Sequence, residues 1–200
     1  MTRFAWKEIA KKAANEASFK DTPFRIEGQS FKLGGDVSPS VQVFFQRITN
    51  TEIAPTVFFG IYVEEFERQW RDRVLRTGLR PETENPTLAL HSANIASLRP
   101  RPWVASSPSD EDVASMRDWL DRAFAYARRL PSSMDGLMRA IEANKIADHN
   151  VEAYLGHPVK VRGFVEWLRR THGVEVGEHV LPLLDDRTEP YDVRVMLEAD

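Results

Sequence analysis

Two runs of alternating apolar and polar positions dominate residues 41–66, VQVFFQRITNTEIAPTVFFGIYVEEF. A period of two residues predicts β-strands, and the polar connection from Thr49 to Pro55 predicts that the two strands pair antiparallel. One face is strongly apolar in both runs and is expected to lie under helices: Val41, Val43, Phe45, Val57, Phe59, Ile61 and Val63. The opposite face mixes polar and aromatic residues and is the candidate protein interface if helices leave it uncovered: Gln42, Phe44, Gln46, Phe58 and Tyr62.

Helical periodicity takes over in most of the remaining chain. It predicts an N-terminal helix that ends at Asp21, and later helices over residues 66–76, 107–130, 133–146, 158–172 and 188–198. Between the helices, residues 24–33 alternate as a short hairpin closed by a Gly34–Gly35–Asp36 turn, and LALH at 88–91 is typical of a strand. Residues 147–157 follow neither period.

The start of the helix over 107–130 carries the clearest local signal. Ser107 suits the N-cap position, Pro108 suits the first helical position, and three acidic residues at 110–112 complement the helix dipole. The pattern therefore predicts a helix that begins at Ser107. Its buried stripe is predicted to be Val113, Met116, Leu120, Ala123, Ala127 and Leu130.

The strands lie early in the chain and most of the helices lie late. Such segregation indicates an α+β fold, in which an antiparallel sheet from the N-terminal half packs against helices. A chain of 200 residues is long enough for a substantial core without disulfides. We expect an α+β core domain over residues 1–146 and a helical C-terminal extension over 147–200 that packs on it.

The order helix, hairpin, hairpin, helix, with QVFFQR in one strand and FFGIYVE in the next, resembles the bacterial family called domain of unknown function 4304. The positions that match its strand motifs are Phe24, Gln46 and Phe58 to Tyr62, and LPLLDD followed by a helix is similar at Leu181 to Glu198. This chain lacks the Asn that precedes the glycine in the family's strand, and it carries extra helical sequence around 131–172. The resemblance implies an α+β fold in a bacterial protein. Because the family has no assigned activity, it implies no chemistry.

Composition narrows the classes of function and compartment. The chain has no cysteine, which excludes disulfides, thiol catalysis and cysteine-ligated metals. Its net charge of −3 is too small to indicate a polyanionic partner or a membrane surface. The charged N-terminus does not have the form of a signal peptide, and no stretch is apolar enough to span a bilayer. We therefore expect a cytoplasmic protein.

Motifs for catalysis and for cofactors are not evident. The sequence contains no phosphate-binding Gly-Lys-Ser/Thr loop, no Gly-x-Ser-x-Gly elbow and no His-Glu-x-x-His zinc motif. Glu64, Glu65 and Glu67 could act as acid and base, although acids at a strand-to-helix junction more often complement the helix N-terminus. The candidates for the metal site of a metal-dependent hydrolase, if they converge in space, are Asp148, His149, His157, Asp185 and Asp186.

Arginines cluster around the helix over 66–76 and in the segment that follows it. Arginine with interleaved aromatic residues is the composition that binds phosphates and stacks bases. Interleaved acids such as Asp72 would neutralise part of this charge through pairs four residues apart. The candidate nucleic-acid residues are Arg68, Arg71, Arg76, Arg80, Arg99, Arg101 and Trp103.

The C-terminal segment from Glu175 to Asp200 is acidic, with eight acids, two arginines and a net charge of −6. An acidic surface suits an inhibitor of a basic partner, and opposite patches in one chain also allow self-association. We therefore predict a non-enzymatic protein-interaction module of the inhibitor or immunity type, with another protein as partner and no cofactor. The alternatives are a nucleic-acid-associated protein and a metal-dependent hydrolase.

Overall fold

The computed structural model describes residues 24–27, 30–47, 52–76, 78, 86–92, 95, 98, 103–104, 109–154 and 158–174. The strands are β1 Phe24–Glu27, β2 Ser30–Leu33, β3 Val37–Arg47, β4 Glu52–Val63, β5 Leu88–His91 and β6 Trp103–Val104. The helices are α1 Glu64–Arg76, α2 Asp110–Ala127, α3 Met134–Glu142, α4 Pro158–His172 and a 3₁₀ helix Val151–Tyr154. This arrangement confirms the α+β class. Among these described helices, none combines the length and apolarity that a membrane span requires.

One sheet joins the strands in the order β1-β2-β3-β4-β5, with β6 pairing β4. The predicted hairpin is confirmed, since Phe24 in β1 lies opposite Leu33 in β2 in an antiparallel register. Strand β4 begins at Glu52, inside the predicted connection. The reason is tertiary, because Glu52 and Ile53 pair antiparallel with β6, a strand far along the sequence.

Two compact units divide the chain, and each draws on separate stretches of sequence. The first contains residues 1–34, 40–59 and 91–129, and the second contains 35–39, 60–90 and 130–200. The expected division into a core over 1–146 and a helical extension over 147–200 stays a prediction.

In the first unit, α2 packs on the apolar face of the sheet through aromatic contacts. The Phe124 ring meets Phe31 of β2 edge-on at 5.0 Å, and Tyr126 lies 4.7 Å from Phe59 of β4. The indole N–H of Trp119 donates to the carbonyl oxygen of Leu98 at 3.1 Å, which satisfies the polar atom of a buried ring. The stripe predicted from periodicity is buried at Met116, Leu120, Ala123 and Ala127.

The predicted start of α2 at Ser107 is wrong, because Ser109 is the N-cap. The Ser109 hydroxyl accepts from the Asp112 N–H at 3.2 Å, and the Asp112 carboxylate accepts from the Ser109 N–H at 2.7 Å. This reciprocal capping box satisfies two backbone donors, whereas a serine alone satisfies one. Helix α3 also ends earlier than predicted, since Asn144 adopts a left-handed φ of 49°.

In the second unit, α1 and α4 pack face to face. Phe66 of α1 contacts Phe164 at 5.2 Å and Trp167 at 5.9 Å between ring centroids. The bounds of α4 are those predicted. Gly163 of α4 lies against the Trp70 ring, so close that a methyl group there would stand 2.7 Å from Trp70 Cζ3. Only a residue without Cβ permits this approach of the two helices.

We expect Gly163→Ala to lower the free energy of unfolding by about 1–2 kcal/mol, because overpacking outweighs the better helix propensity of alanine. Urea denaturation measures the change. Gly34→Ala is the matched control, since a methyl group there meets nothing within 4 Å. A Gly163→Ala variant more stable than the wild type would show that the helices do not approach this closely.

We expect Ser109→Ala to cost about 1 kcal/mol of stability through loss of the cap. Ser107→Ala is the control, because the sequence pattern alone favours that residue as the cap. Thermal unfolding of both variants, followed by circular dichroism, compares them. A larger loss at residue 107 than at 109 would place the helix start where the sequence pattern put it.

Candidate functional site

A pocket of 710 Å³ opens beside the N-terminal half of α1, within the second unit. Its volume lies in the range of sites that take small molecules or several side chains of a partner. The residues that line it come from the turn before β3, the end of β4, α1, α3 and α4. They are Asp36, Val63, Glu64, Glu65, Glu67, Arg68, Arg71, Met134, Trp167 and His172. We call it the α1 pocket.

A turn and a strand end position the mouth of the α1 pocket. Strand β4 runs into α1 without a loop, and the Glu64 N–H donates to the Asp36 carbonyl oxygen at 2.9 Å. Gly35 allows the chain to turn there with a φ of 134°, a conformation that side chains with a Cβ rarely adopt. These contacts bring Asp36 beside the first turn of α1, where Glu64 and Glu65 are exposed.

One lining residue of the α1 pocket, Glu67, belongs to a buried ion pair. The Lys160 ammonium lies 2.7 Å from Glu67 Oε2, and their side chains are 4% and 16% exposed. The Thr87 hydroxyl donates to the other oxygen of Glu67 and accepts from the Val63 N–H at 3.1 Å. Both carboxylate oxygens of Glu67 are therefore engaged, and its charge is matched within the chain. These contacts hold the Glu67 side chain in one position.

An aromatic cluster forms the apolar wall. The Trp167 ring contacts Phe164, nearly parallel at 5.9 Å, and His172, edge-on at 5.1 Å between ring centroids. The Trp167 side chain is buried, and its indole N–H has no hydrogen-bond acceptor among the described residues. A buried donor without a partner costs free energy, so an acceptor brought by a ligand would stabilise it.

Two arginines complete the lining. Arg68 and Arg71 are exposed, and within the described part of the chain no ion pair or hydrogen bond engages their guanidinium groups. They stand three positions apart on α1, so their side chains share one face of the helix. Arg76 lies outside the pocket, where its Nε donates to the Asp72 carbonyl oxygen at 3.3 Å. The α1 pocket therefore holds two guanidinium groups that a ligand can reach.

The other predicted nucleic-acid residues do not join this group. Arg80, Arg99 and Arg101 lie outside the described residues, and of Trp103 the structure describes only its place in β6. Helix α1 itself carries four arginines and four acids, so it is neutral overall. Three of those four acids line the same pocket as Arg68 and Arg71.

The predicted interface on the second face of the sheet is partly covered. Gln42 and Tyr62 are 6% and 7% exposed, so these two side chains are not available to a partner. Phe58 is half-buried, and its ring meets His91 edge-on at 4.7 Å. The side chains of Phe44 and Gln46 lie outside the described ones.

The candidate metal residues are placed only in part. Asp148 and His149 belong to a tight turn closed by mutual backbone hydrogen bonds between Ile146 and His149. His157, Asp185 and Asp186 lie outside the described residues. In the ranges that the structure covers, no three metal-ligating side chains come together.

Sequence reasoning missed Trp167, which lines the α1 pocket, and also Thr87 and Lys160, which engage the lining residue Glu67. Lys160 carried a usable signal, because it stands four positions before Phe164 on the apolar stripe of α4. A lysine on a buried stripe needs a carboxylate partner. The identity of that partner was not readable from the sequence.

No family model matches this chain, and the comparisons with curated proteins and with solved structures likewise give no match. The resemblance to domain of unknown function 4304 stays a prediction. The functional argument therefore depends on the geometry of the α1 pocket.

We expect Lys160→Met to destabilise the protein by about 2–4 kcal/mol, because it leaves the Glu67 carboxylate largely buried without its cation. Arg162→Met on the same helix is the matched control, since Arg162 pairs with Glu166 at 3.6 Å on the surface. An exposed pair of this kind contributes at most about 1 kcal/mol. Urea denaturation should separate the two variants, and equal losses would contradict the role given to the buried pair.

Proposed function

We propose that the protein is a non-enzymatic protein-interaction module that recognises a partner protein through the α1 pocket. The observation that carries this proposal is the coexistence of both charge signs around a buried tryptophan. Arg68 and Arg71 are available, and Asp36, Glu64 and Glu65 supply carboxylates at the same opening. Protein surfaces present both signs of charge together, and aromatic residues and arginine are enriched where they bind one another.

The surface of α1 beyond the pocket supports the same reading. Leu75 is 54% exposed and is the exposed large hydrophobic residue of the described chain. It stands four positions after Arg71, which itself follows Arg68 by three, so the three side chains form one stripe along α1. An apolar side chain that continues a line of charged pocket residues fits a partner segment lying along the helix.

Charge reversal inside the pocket tests the proposal. Three proteins are used to capture partners from host lysate, with and without nuclease. They are the wild type, Arg68→Glu/Arg71→Glu and Arg76→Glu. The protein that only the wild type and Arg76→Glu retain is then purified. Its affinity for the pocket variant should fall by at least about tenfold, because desolvated arginine contacts dominate protein interfaces.

Arg76→Glu is the control because it reverses an exposed arginine on the same helix outside the pocket. Its affinity for the purified protein should stay close to that of the wild type. Capture that is equal for all three proteins, or equal losses for both variants, would contradict binding through the α1 pocket.

Nucleic-acid binding is the second candidate function, favoured by the exposure of Arg68, Arg71 and Arg76 on one helix. It predicts that affinity for a fluorescent RNA or DNA 20-mer falls with salt. Three phosphate contacts correspond to a slope of roughly −2 to −3 in log K against log salt concentration. Binding that is absent or insensitive to salt would eliminate this candidate. The carboxylates beside the arginines oppose it, since they repel phosphates.

A further inference from the structure

The hydrogen-bonding groups of the α1 pocket fall into two sets, those engaged within the chain and those left for a ligand. Glu67 accepts from Thr87 and pairs with Lys160, and Glu65 accepts from the Gln69 amide at 3.4 Å. The donors without a described partner are the guanidinium groups of Arg68 and Arg71 and the indole N–H of Trp167. Among the lining carboxylates, the side chains of Asp36 and Glu64 have no described partner either.

We propose that the α1 pocket binds an aspartate or glutamate side chain of its partner, with the carboxylate held by Arg68 and Arg71 beside Trp167. This inference rests on the proposed function, since it names the group that the partner would insert. It adds a preference for a carboxylate, which does not follow from the presence of both charge signs in the pocket.

The spacing of the arginines suits one carboxylate. Residues three apart on a helix have neighbouring side chains, so two guanidinium groups can approach the same anion from one side. Each guanidinium presents a planar fork of N–H donors that matches the two oxygens of a carboxylate. Because no described carboxylate occupies Arg68 or Arg71, a partner's carboxylate need not displace an internal one.

Trp167 adds a donor on a rigid support. Its ring is more than nine-tenths buried, lines the pocket and is packed by Phe66, Phe164 and His172. Such packing restricts the ring to one orientation, so its N–H has a fixed position in the apolar wall of the pocket. A carboxylate oxygen would supply the acceptor that the described residues do not.

The acids of the pocket favour a carboxylate over a phosphate. Asp36, Glu64 and Glu65 share the opening with the arginines, and repulsion from them grows with the charge of the ligand. A carboxylate carries one negative charge, whereas a phosphate monoester carries closer to two at neutral pH. The same acids favour a basic residue next to the inserted one. We therefore expect a partner segment in which an acidic side chain is flanked by lysine or arginine.

A pair of peptides separates this specificity from general attraction to an acidic protein. The probes are acetyl-Lys-Glu-Lys-amide and acetyl-Lys-Gln-Lys-amide, which differ only in the central carboxylate. Net charge alone predicts that the glutamine peptide binds more tightly, because it is the more positive of the two and the protein is negative. Recognition by the arginines predicts the opposite order.

Nuclear magnetic resonance titration measures both affinities through the indole N–H signal of Trp167, which is assigned with a Trp167→Phe variant. We expect the glutamate peptide to bind at least about tenfold more tightly, as a charge-assisted hydrogen bond implies. The preference should disappear in Arg68→Gln/Arg71→Gln and persist in Arg76→Gln. Both arginines of the first variant are exposed, so its spectrum should keep the dispersion of a folded protein.

Each other outcome counts against the inference. Equal or reversed affinities, a preference that survives Arg68→Gln/Arg71→Gln, or no binding at the solubility limit of both peptides would overturn it. Inorganic phosphate and acetate are added as competitors. Stronger competition by phosphate would show that the arginines prefer a phosphate to a carboxylate, which would overturn the inference.

The inference and the proposed function fail separately. If the captured partner loses affinity for Arg68→Glu/Arg71→Glu but the peptides show no carboxylate preference, the carboxylate specificity is contradicted and the proposed function is not. If the partner is insensitive to both reversals, the proposed function falls as well.

Discussion

The ion pair between Glu67 and Lys160 is the interaction on which the second unit depends most directly. It joins α1 to α4 through two largely buried charges, and the Thr87 hydroxyl connects the same carboxylate to the backbone of β4 at Val63. A charge removed from water needs both a counter-ion and hydrogen bonds to be tolerated. The positions of α1, α4 and the residue before β5 are therefore constrained by one carboxylate.

This constraint also sets the chemistry of the α1 pocket. Because Lys160 and Thr87 engage Glu67, the groups that remain for a ligand are the two arginines and the carboxylates at the mouth. The close contact of Gly163 with Trp70 and the aromatic packing around Trp167 hold α1 against α4. A recognition site on this surface thus rests on packed helices, which position side chains more accurately than loops do.

Elements that depend on local patterns were predictable. The hairpin over 24–33 and the helix α4 followed from period and from turn residues, because both signals are contained in a few neighbouring positions. The predicted start of α2 was wrong because two serines near it are both suitable N-caps. Ser107 looked like an N-cap, yet Ser109 forms the reciprocal bonds with Asp112 that decide where α2 begins.

The candidate site was predictable only in part. The acids at the start of α1 and the arginines that follow were both identified, but as separate features with separate uses. Their convergence with Trp167 and His172 required the packing of α1 on α4, which no spacing within α1 encodes. The second face of the sheet was also predictable only in part. The alternating pattern placed Gln42 and Tyr62 on that face, but it did not show that both side chains are buried there.

The sequence by itself determined the α+β class, the alternation of faces along the strands and the bounds of α4, because these follow from periods of two and 3.6 residues. Only the tertiary structure decided which carboxylate meets Lys160, which arginines are left without a partner and which tryptophan lines the pocket. Those outcomes depend on contacts between residues that are distant along the chain. Burial then selects among them, because a charge or a donor removed from water requires a partner in space.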